Sequence, residues 1–580
     1  MSSKPLALIT AFGGINSAGR SSAHLSYKNL VFNSISEKEQ LEVLQDLAVM
    51  QGKIEPLGRT WETSSGDSID LKEFLTENSE GIRGDCMVRR LDRDIYDKDG
   101  IILDQIKASA AGQLPSGFDP SSLYPARQHP KALQMTVFGM GDALGQLGLN
   151  WKKVMDTISP DQIAVFSGAA IGQLDVYGFG GLMQSRIKGS RASSKNLALG
   201  LVEMSADFIN AYILGSVGRS GHNVGACATF LYNLQMGKEA IESGSARVVI
   251  VGGAEAPITP EIVDGFFAMS ALSDDKRMIE LQAQNNEDIS KGPIQERACR
   301  PFGNNVGMVL GESAQFIILM EDNLALELGA NIYGSVPSVA SHSDGYKSSI
   351  SGPGVGNYIT VAKCVADAEK ILGTKQLRNQ TFVHAHGTGT PANRTTESHI
   401  LNEVAKTYGM NSWPVTGIKS FLGHSMAPAS GDQLVTALGT WNKGIIPGIR
   451  STDNIAEDVY DDNLNILLED KIEDKNHFSA AFLNAKGFGG NNASALILSP
   501  EKSKELLKQK HSKNKMKIYE SNVQEAKVKA EKHNKDCLKG NYNVVYKFNE
   551  NVLQGEADVK LSKSEISLKG YKNSIKLKKK

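Results

Sequence analysis

The 580-residue sequence has no long apolar run: no stretch of about 18 apolar residues occurs, which argues against a transmembrane helix. The N-terminal apolar run is short and ends at Gly13-Gly14, so it reads as a first strand and not as the core of a signal peptide. Cysteine is scarce and scattered (Cys86, Cys227, Cys299, Cys364, Cys537), with no CxxC and no Cys/His cluster at zinc-ligand spacing. That pattern predicts reduced thiols, no metal site and a cytoplasmic protein. Neither GxxxxGK[ST] nor GxGxxG is present, so the usual phosphate-gripping glycine loops are missing. A net charge of −1 gives no global attraction to nucleic acid.

A soluble globular chain is present: 41% of residues are hydrophobic and 22% charged. Short apolar runs alternate with helical patterns through residues 1–499, which predicts an α/β protein. Leu6–Thr10, Ile163–Phe166, Val248–Gly252, Ala314–Leu319, Thr381–His384 and Ala493–Leu498 read as buried strands, and Ala228–Ser243 as a helix ended by Gly244. Residues 35–127 mix charge, Gly and Pro and read as a surface insertion. Residues 501–580 differ sharply. They hold 21 Lys, no Arg and 10 acidic residues, about +11 in all, against about −12 for residues 1–500. Residues 501–539 read as helix, Tyr542–Phe548 and Ala557–Leu568 as a hairpin, and the final lysines as a loose tail. All-Lys composition with few aromatics argues against nucleic-acid reading. An acidic-partner dock and a segment folded back on the acidic body remain alternatives for it.

Four segments carry chemistry. In Gly221-His-Asn-Val-Gly-Ala-Cys227-Ala-Thr-Phe, small residues surround a cysteine just before a helix. A thiol there sits at the positive end of the helix dipole, which favours thiolate, and its amide can face an oxyanion. A buried, inert cysteine is the competing reading. In Val383-His-Ala-His386-Gly-Thr388-Gly-Thr390-Pro, His386 heads an exposed-turn pattern, while His384, within the strand, fits a satisfied core histidine. In Gly417-Ile-Lys419-Ser-Phe-Leu-Gly-His424-Ser, a Lys and a His lie five apart before another helix; alone they read as a solvated Lys and a core His. In Asn484-Ala-Lys-Gly-Phe488-Gly-Gly-Asn-Asn, glycines flank a phenylalanine, which gives either a mobile loop or a plain turn.

The cysteine, HGTGT, KSxxGHS and GFGGNN segments, in this order and with Cys299-Arg-Pro-Phe and Gly311-Glu-Ser-Ala, resemble the β-ketoacyl synthase family over about residues 5–499. The resemblance implies a thiolase-like duplicated five-layer α-β-α-β-α fold and a homodimer. The expected halves are residues 1–258, with the nucleophile, and 259–499, with both histidines, followed by the extension 500–580. It also implies Cys227 as acyl acceptor and His386 and His424 as the pair acting on a malonyl group. Lys419 would organise the site, Phe488 would gate it beside the oxyanion hole, and Thr388 and Thr390 would hold a phosphopantetheine arm. The implied partners are acyl carrier protein, acyl-CoA and malonyl-ACP, without resident cofactor, nucleic acid or stable membrane insertion.

The residue types suit that reaction. Cysteine is a strong nucleophile toward thioesters, and two imidazole donors stabilise an enolate without an electron sink. There are departures. After HGTGTP the family continues with Gly-Asp, whereas here stands Ala392-Asn-Arg-Thr-Thr-Glu. Where the family places an acid that pairs with the lysine, Gln433 and Leu434 stand near, which leaves the partner of Lys419 open. The run before Cys227 lacks the family's Gly-Leu-Lys-Gly-Pro. These features point to an outlying branch resembling the long bacterial synthases that start fatty acid synthesis from acetyl-CoA. The alternatives are an elongating or polyketide-type ketosynthase and a non-catalytic partner subunit, against which Cys227 and the two histidines stand. A thiolase would need a second catalytic cysteine, and no Cys-x-Gly occurs near residues 470–495.

Overall fold

The computed structural model describes residues 4–58, 60–91, 108–350 and 352–577. Part of the expected insertion and the last three lysines of the expected tail lie outside them.

Val, Ile and small residues dominate the strands, as strands covered on both faces require. In chain order these are β1 (Ala7–Asn16), β2 (Ile163–Gly168), β3 (Arg219–Gly221), β4 (Val248–Glu255), β5 (Ser313–Glu321), β6 (Gly334–Ser343), β7 (Thr381–His384), β8 (Trp413–Thr416), β9 (Leu464–Ile466), β10 (Ala480–Gly487) and β11 (Asn491–Leu498). They pair in the order β9-β8-β7-β10-β11-β6-β1-β5-β4-β2-β3. The order is a repeat about the β1–β6 seam. On each side an antiparallel pair is followed by a step to an antiparallel neighbour and then by parallel strands.

The repeat places the boundary between the halves in the chain joining β5 to β6, after residue 321. The expected boundary at 258/259 cuts the first half short. It leaves out β5, which returns antiparallel between β1 and β4.

Helices α1 (Lys131–Leu147), α2 (Thr229–Glu242), α3 (Gly356–Leu372), α4 (Pro391–Tyr408) and α5 (Ala429–Lys443) complete the layers. α2 touches β2 and β4 on one side and β6 on the other, and α5 touches β5 and β10, so both lie between the half-sheets. α5 is buried from Ala429 to Trp441, as a helix with no solvent face must be. α1 covers the outer face of β1, β4 and β5, and α3, with α4 beside it, covers β6, β10 and β11. The result is the expected α-β-α-β-α stack, with the N-termini of the two central helices meeting at its heart.

The extension is part of this body. α6 (Pro500–Lys510) and α7 (Lys513–Cys537) bury Leu507, Met516, Tyr519 and Val523 in the core of the first half. Lys510 and His511 pair with Asp322 at 2.8 and 2.7 Å. His533 lies 3.1 Å from Asp142, whose carboxylate also accepts the amides of Gly14 and Ser22. Asp142, His533 and Cys537 bring their ligand-type atoms within 4.8 Å of one another. Buried Arg20 stands 3.5 Å from the same carboxylate, so the cluster already holds its cation. The expected hairpin is half present. Val559–Leu561 and Glu565–Leu568 pair, but Tyr542–Phe548 is not a strand. Its alternating Tyr542 and Tyr546 instead insert among Phe118, Phe138, Tyr124 and His129.

The insertion, expected at the surface, enters the core. Ala110–Gly112 pairs with Val88–Arg90 and runs parallel to Leu310–Gly311. A Cβ on Gly112 would collide with the carbonyl of Leu422, so only glycine lets this strand approach the turn before His424.

Candidate active site

Cys227 lies in a single 3-10 turn, Ala226–Ala228, immediately before α2. Ala226 takes a left-handed conformation (φ 48°), a strained geometry for a residue with a Cβ, and this aims the cysteine into a cavity of about 120 Å³. His386, His424, Thr388, Thr390 and Phe488 line the same cavity, so it gathers every site residue expected from sequence except Lys419, which stands directly behind it.

The two histidine rings meet edge to face, with centroids 5.4 Å apart. The Met426 amide donates to His424 Nδ1 at 3.3 Å, which places the ring proton on Nε2. His424 Nε2 is buried and has no partner among the described residues, so it is a donor awaiting a ligand. Burial, followed by the Lys419 charge, holds both imidazoles well below their usual range. Both are therefore neutral N–H donors at physiological pH. His384 is a core histidine as expected, but not a satisfied one. Neither ring nitrogen has a partner among the described residues, and burial lowers it to about 3.

Lys419 Nζ donates to the backbone carbonyl of His386 and so fixes the turn that carries that ring. Burial lowers its pKa, and the largest opposing influence is Glu397. The Glu397 carboxylate accepts the amides of His386 and Gly387 at 2.6 and 2.9 Å, and the side-chain amides of Asn484 and Asn393 at 2.7 and 2.9 Å. This acid, nearly two turns into α4, is the electrostatic partner of Lys419. Gln433 donates instead to the carbonyls of Ala385 and Asn484, and Leu434 is buried in the core. Neighbouring Asp432 is taken up by Asn16, Ser313, Gln315 and Ser425.

Burial pushes the Cys227 thiol up to about 12; Lys419 opposes this and the Glu255 carboxylate adds to it. Desolvation in this pocket thus opposes the thiolate that the helix dipole favours. Glu255 accepts the amides of Ala170, Ile171 and Ala427, yet burial raises it to about 7.

Phe488 sits on the loop between β10 and β11. Its carbonyl accepts from Asn491 at 2.6 Å, and its ring lies 5.9 Å from that of Phe266. A Cβ on Gly487 would strike the carbonyl of Gly225, so this glycine lets the loop lie directly on the cysteine turn. Thr388 and Thr390 join hydroxyls at 3.1 Å on the cavity wall.

Sequence reasoning missed Glu397, Glu255 and Lys486. Glu397 had one available signal: it is the first acid of the helix that Pro391 opens after HGTGT, six residues beyond that proline.

The family model described as beta-ketoacyl synthase, N-terminal domain, matches residues 64–325, and the C-terminal domain model matches residues 333–453. Beta-ketoacyl-[acyl-carrier-protein] synthase FabY of Pseudomonas aeruginosa is 40% identical, with 99% of this chain and 98% of that protein aligned. 3-Oxoacyl-[acyl-carrier-protein] synthase 2 of Staphylococcus aureus is 27% identical over 73% of this chain and 96% of its own. The crystal structure of FabY from P. aeruginosa superposes with a TM-score of 0.95 at 40% identity, covering 100% of this chain and 98% of that one.

Proposed function

Because the chain belongs to the β-ketoacyl synthase family and is a 3-oxoacyl-[acyl-carrier-protein] synthase, we propose that it performs the initiating condensation, joining an acetyl primer from acetyl-CoA to malonyl-ACP. The observation that carries the short primer is the filling beyond Cys227. The space is occupied by Ile262, Phe266, Met308 and Met426 and, from the insertion, by Leu91 and Ala111. On the far side of Met308, which lines both spaces, the next void measures about 10 Å³. That is scarcely room for one water and none for an alkyl chain.

In this reading the thiol of Cys227 attacks the primer thioester and loses its proton as the new S–C bond forms; CoA leaves as its thiol. Malonyl-ACP then enters along Thr388 and Thr390. Loss of carbon dioxide leaves an enolate, whose oxygen receives hydrogen bonds from the neutral His386 and His424. The enolate carbon attacks the acyl-Cys227 carbonyl and expels the cysteine sulfur. Phe488 swings between the two half-reactions on its glycine flanks.

The test is purified enzyme with malonyl-ACP and a panel of acyl-CoA and acyl-ACP primers, read by product mass and by labelling of Cys227. Acetyl-CoA is expected to label it; preferential labelling by decanoyl-ACP or longer overturns the short-primer reading. We further propose a cytoplasmic homodimer built across β3. This strand ends the sheet with a free edge, and exposed Ile187, Leu197, Val217 and Val224 lie on the segments around it. A monomer by analytical ultracentrifugation at micromolar concentration overturns it.

A further inference from the structure

Lys486, the penultimate residue of β10, lines the catalytic cavity together with Cys227, His386 and His424. The steps at Cys227, His386 and His424 give it no task. Its Nζ donates to the Thr396 hydroxyl at 3.2 Å, and it makes no ion pair among the described residues. The two carboxylates that attract it are occupied elsewhere. Glu397 is held by two backbone amides and two asparagines. Asp344 accepts the Gly356 amide at 2.9 Å and Asn492 at 2.7 Å, and pairs with Lys347 at 3.3 Å. Lys486 is half-buried, and this partial loss of water, the largest influence, lowers its pKa, as for an ammonium without a counter-ion.

A cation taken from water is stabilised by an anion in hydrogen-bonding reach. A pocket that keeps one unpaired beside its reactive groups is built to receive that anion from a ligand. Of the two substrates, the acetyl thioester is uncharged at its acyl end and the malonyl thioester ends in a carboxylate. The phosphate of the carrier arm lies a full pantetheine length from the thioester, whereas Lys486 lines the same cavity as Cys227, His386 and His424.

We propose that Lys486 is the extender-specificity residue, pairing with the malonyl carboxylate at the decarboxylation step. The inference rests on the decarboxylative reading of the site. When the C–C bond to the carboxylate breaks, its electron pair becomes the enolate that His386 and His424 receive. Carbon dioxide leaves uncharged, and Lys486 keeps its proton. The ion pair lasts until the C–C bond has broken and carbon dioxide departs, so it holds the malonyl group about equally before and at the transition state, and Lys486 acts on binding of the extender and not on the barrier. It also sets the order of occupancy, since an acetyl group placed against it leaves the cation unpaired.

The experiment compares wild type, Lys486→Met and Lys486→Arg for kcat and KM with malonyl-ACP and for the rate of Cys227 acetylation by acetyl-CoA. The expected result in Lys486→Met is a KM raised about 10–100-fold, the range of a hydrogen bond to a charged group. Its kcat stays within about threefold, and acetylation is unaffected. Lys486→Arg restores KM. An unchanged KM in Lys486→Met overturns the proposal, and so does a parallel fall in acetylation, which would mark Lys486 as a support for Thr396. Should the methionine variant fail to fold, Lys486→Gln makes the same comparison. If wild type releases no carbon dioxide from malonyl-ACP, it is the ketosynthase reading that fails.

Discussion

The two central helices are equivalent in the duplicated fold, yet the proposed reaction gives their N-termini opposite chemistry. α2 begins beside Cys227, the proposed electron-pair donor, and α5 follows the turn of His424, proposed to receive developing negative charge. Both starts contain a residue with a side chain in the left-handed region, Ala226 (φ 48°) and Met426 (φ 57°). They touch: Phe230 donates its amide to the carbonyl of Ala427 at 3.2 Å, and Cys227 Sγ lies 3.9 Å from Met426 Sδ. Duplication thus supplied two copies of one strained helix start, and the residue placed on each decides whether it attacks or stabilises. A nucleophile and an oxyanion donor must converge on one carbonyl, and a pseudo-symmetric seam brings them together without a long loop.

The sharpest way to break this division is to remove each side separately. Cys227→Ala is expected to abolish condensation while leaving malonyl-ACP decarboxylation, measured as released carbon dioxide. Normal condensation in that variant would end the assignment. On the other side, His386→Ala and His424→Ala are each expected to slow decarboxylation by about 10²–10³, the typical loss of an oxyanion donor, with acylation of Cys227 less affected. Wild-type decarboxylation in both would show that the second helix start does not do this work.

How far this was legible in the sequence follows from how local each feature is. HGTGT and GHS are contiguous, so His386, His424 and the lysine between them could be read directly. The partner of Lys419 could not, because Glu397 sits eleven residues beyond His386 and reaches back through a helix start. The desolvation that opposes a Cys227 thiolate could not be read, because a helix start is visible in a sequence and burial is not. The insertion was taken for surface because its composition is polar, although Ala108–Gly112 is buried against the site. The alternation in Tyr542–Phe548 was real, but it serves aromatic packing on α1 and not a ladder.

Smaller effects sharpen the comparison. Glu397→Gln removes the charge that balances Lys419 and is expected to destabilise the protein by about 3–5 kcal/mol, the usual result of orphaning a buried ion; thermal unfolding of the purified variant measures it. The pH dependence tests the imidazoles. Both are lowered by burial and Lys419, so the neutral donor form is lost only at pH values below the usual histidine range. Decarboxylation by Cys227→Ala enzyme is therefore expected to stay flat from pH 8 down through about 6, and an acid limb near 6.5 would contradict it. The smallest effect is on the gate. Gly489 has φ +83° and a Cβ there meets only Asn491, so Gly489→Val is expected to slow turnover severalfold while the fold persists. Unchanged steady-state kinetics would remove the gating role of Phe488.

The position of β1 has a consequence for how the molecule is made. β1 is synthesised long before its long-range partners yet lies in the middle of the finished sheet, between residues 313–321 and 334–335. At bacterial or eukaryotic elongation speeds of about 5–20 residues per second, it waits on the order of 15–60 s before either neighbour exists. The Asp142 carboxylate that receives the amide of Gly14 also meets His533, so that corner closes only when α7 has been made. During that interval an apolar ten-residue strand is unpaired apart from Ile15 and Asn16, which meet Arg20 and Gly19. Nascent chains stalled short of residue 313 should therefore expose it to protease and bind holding chaperones, and chains stalled past residue 540 should not.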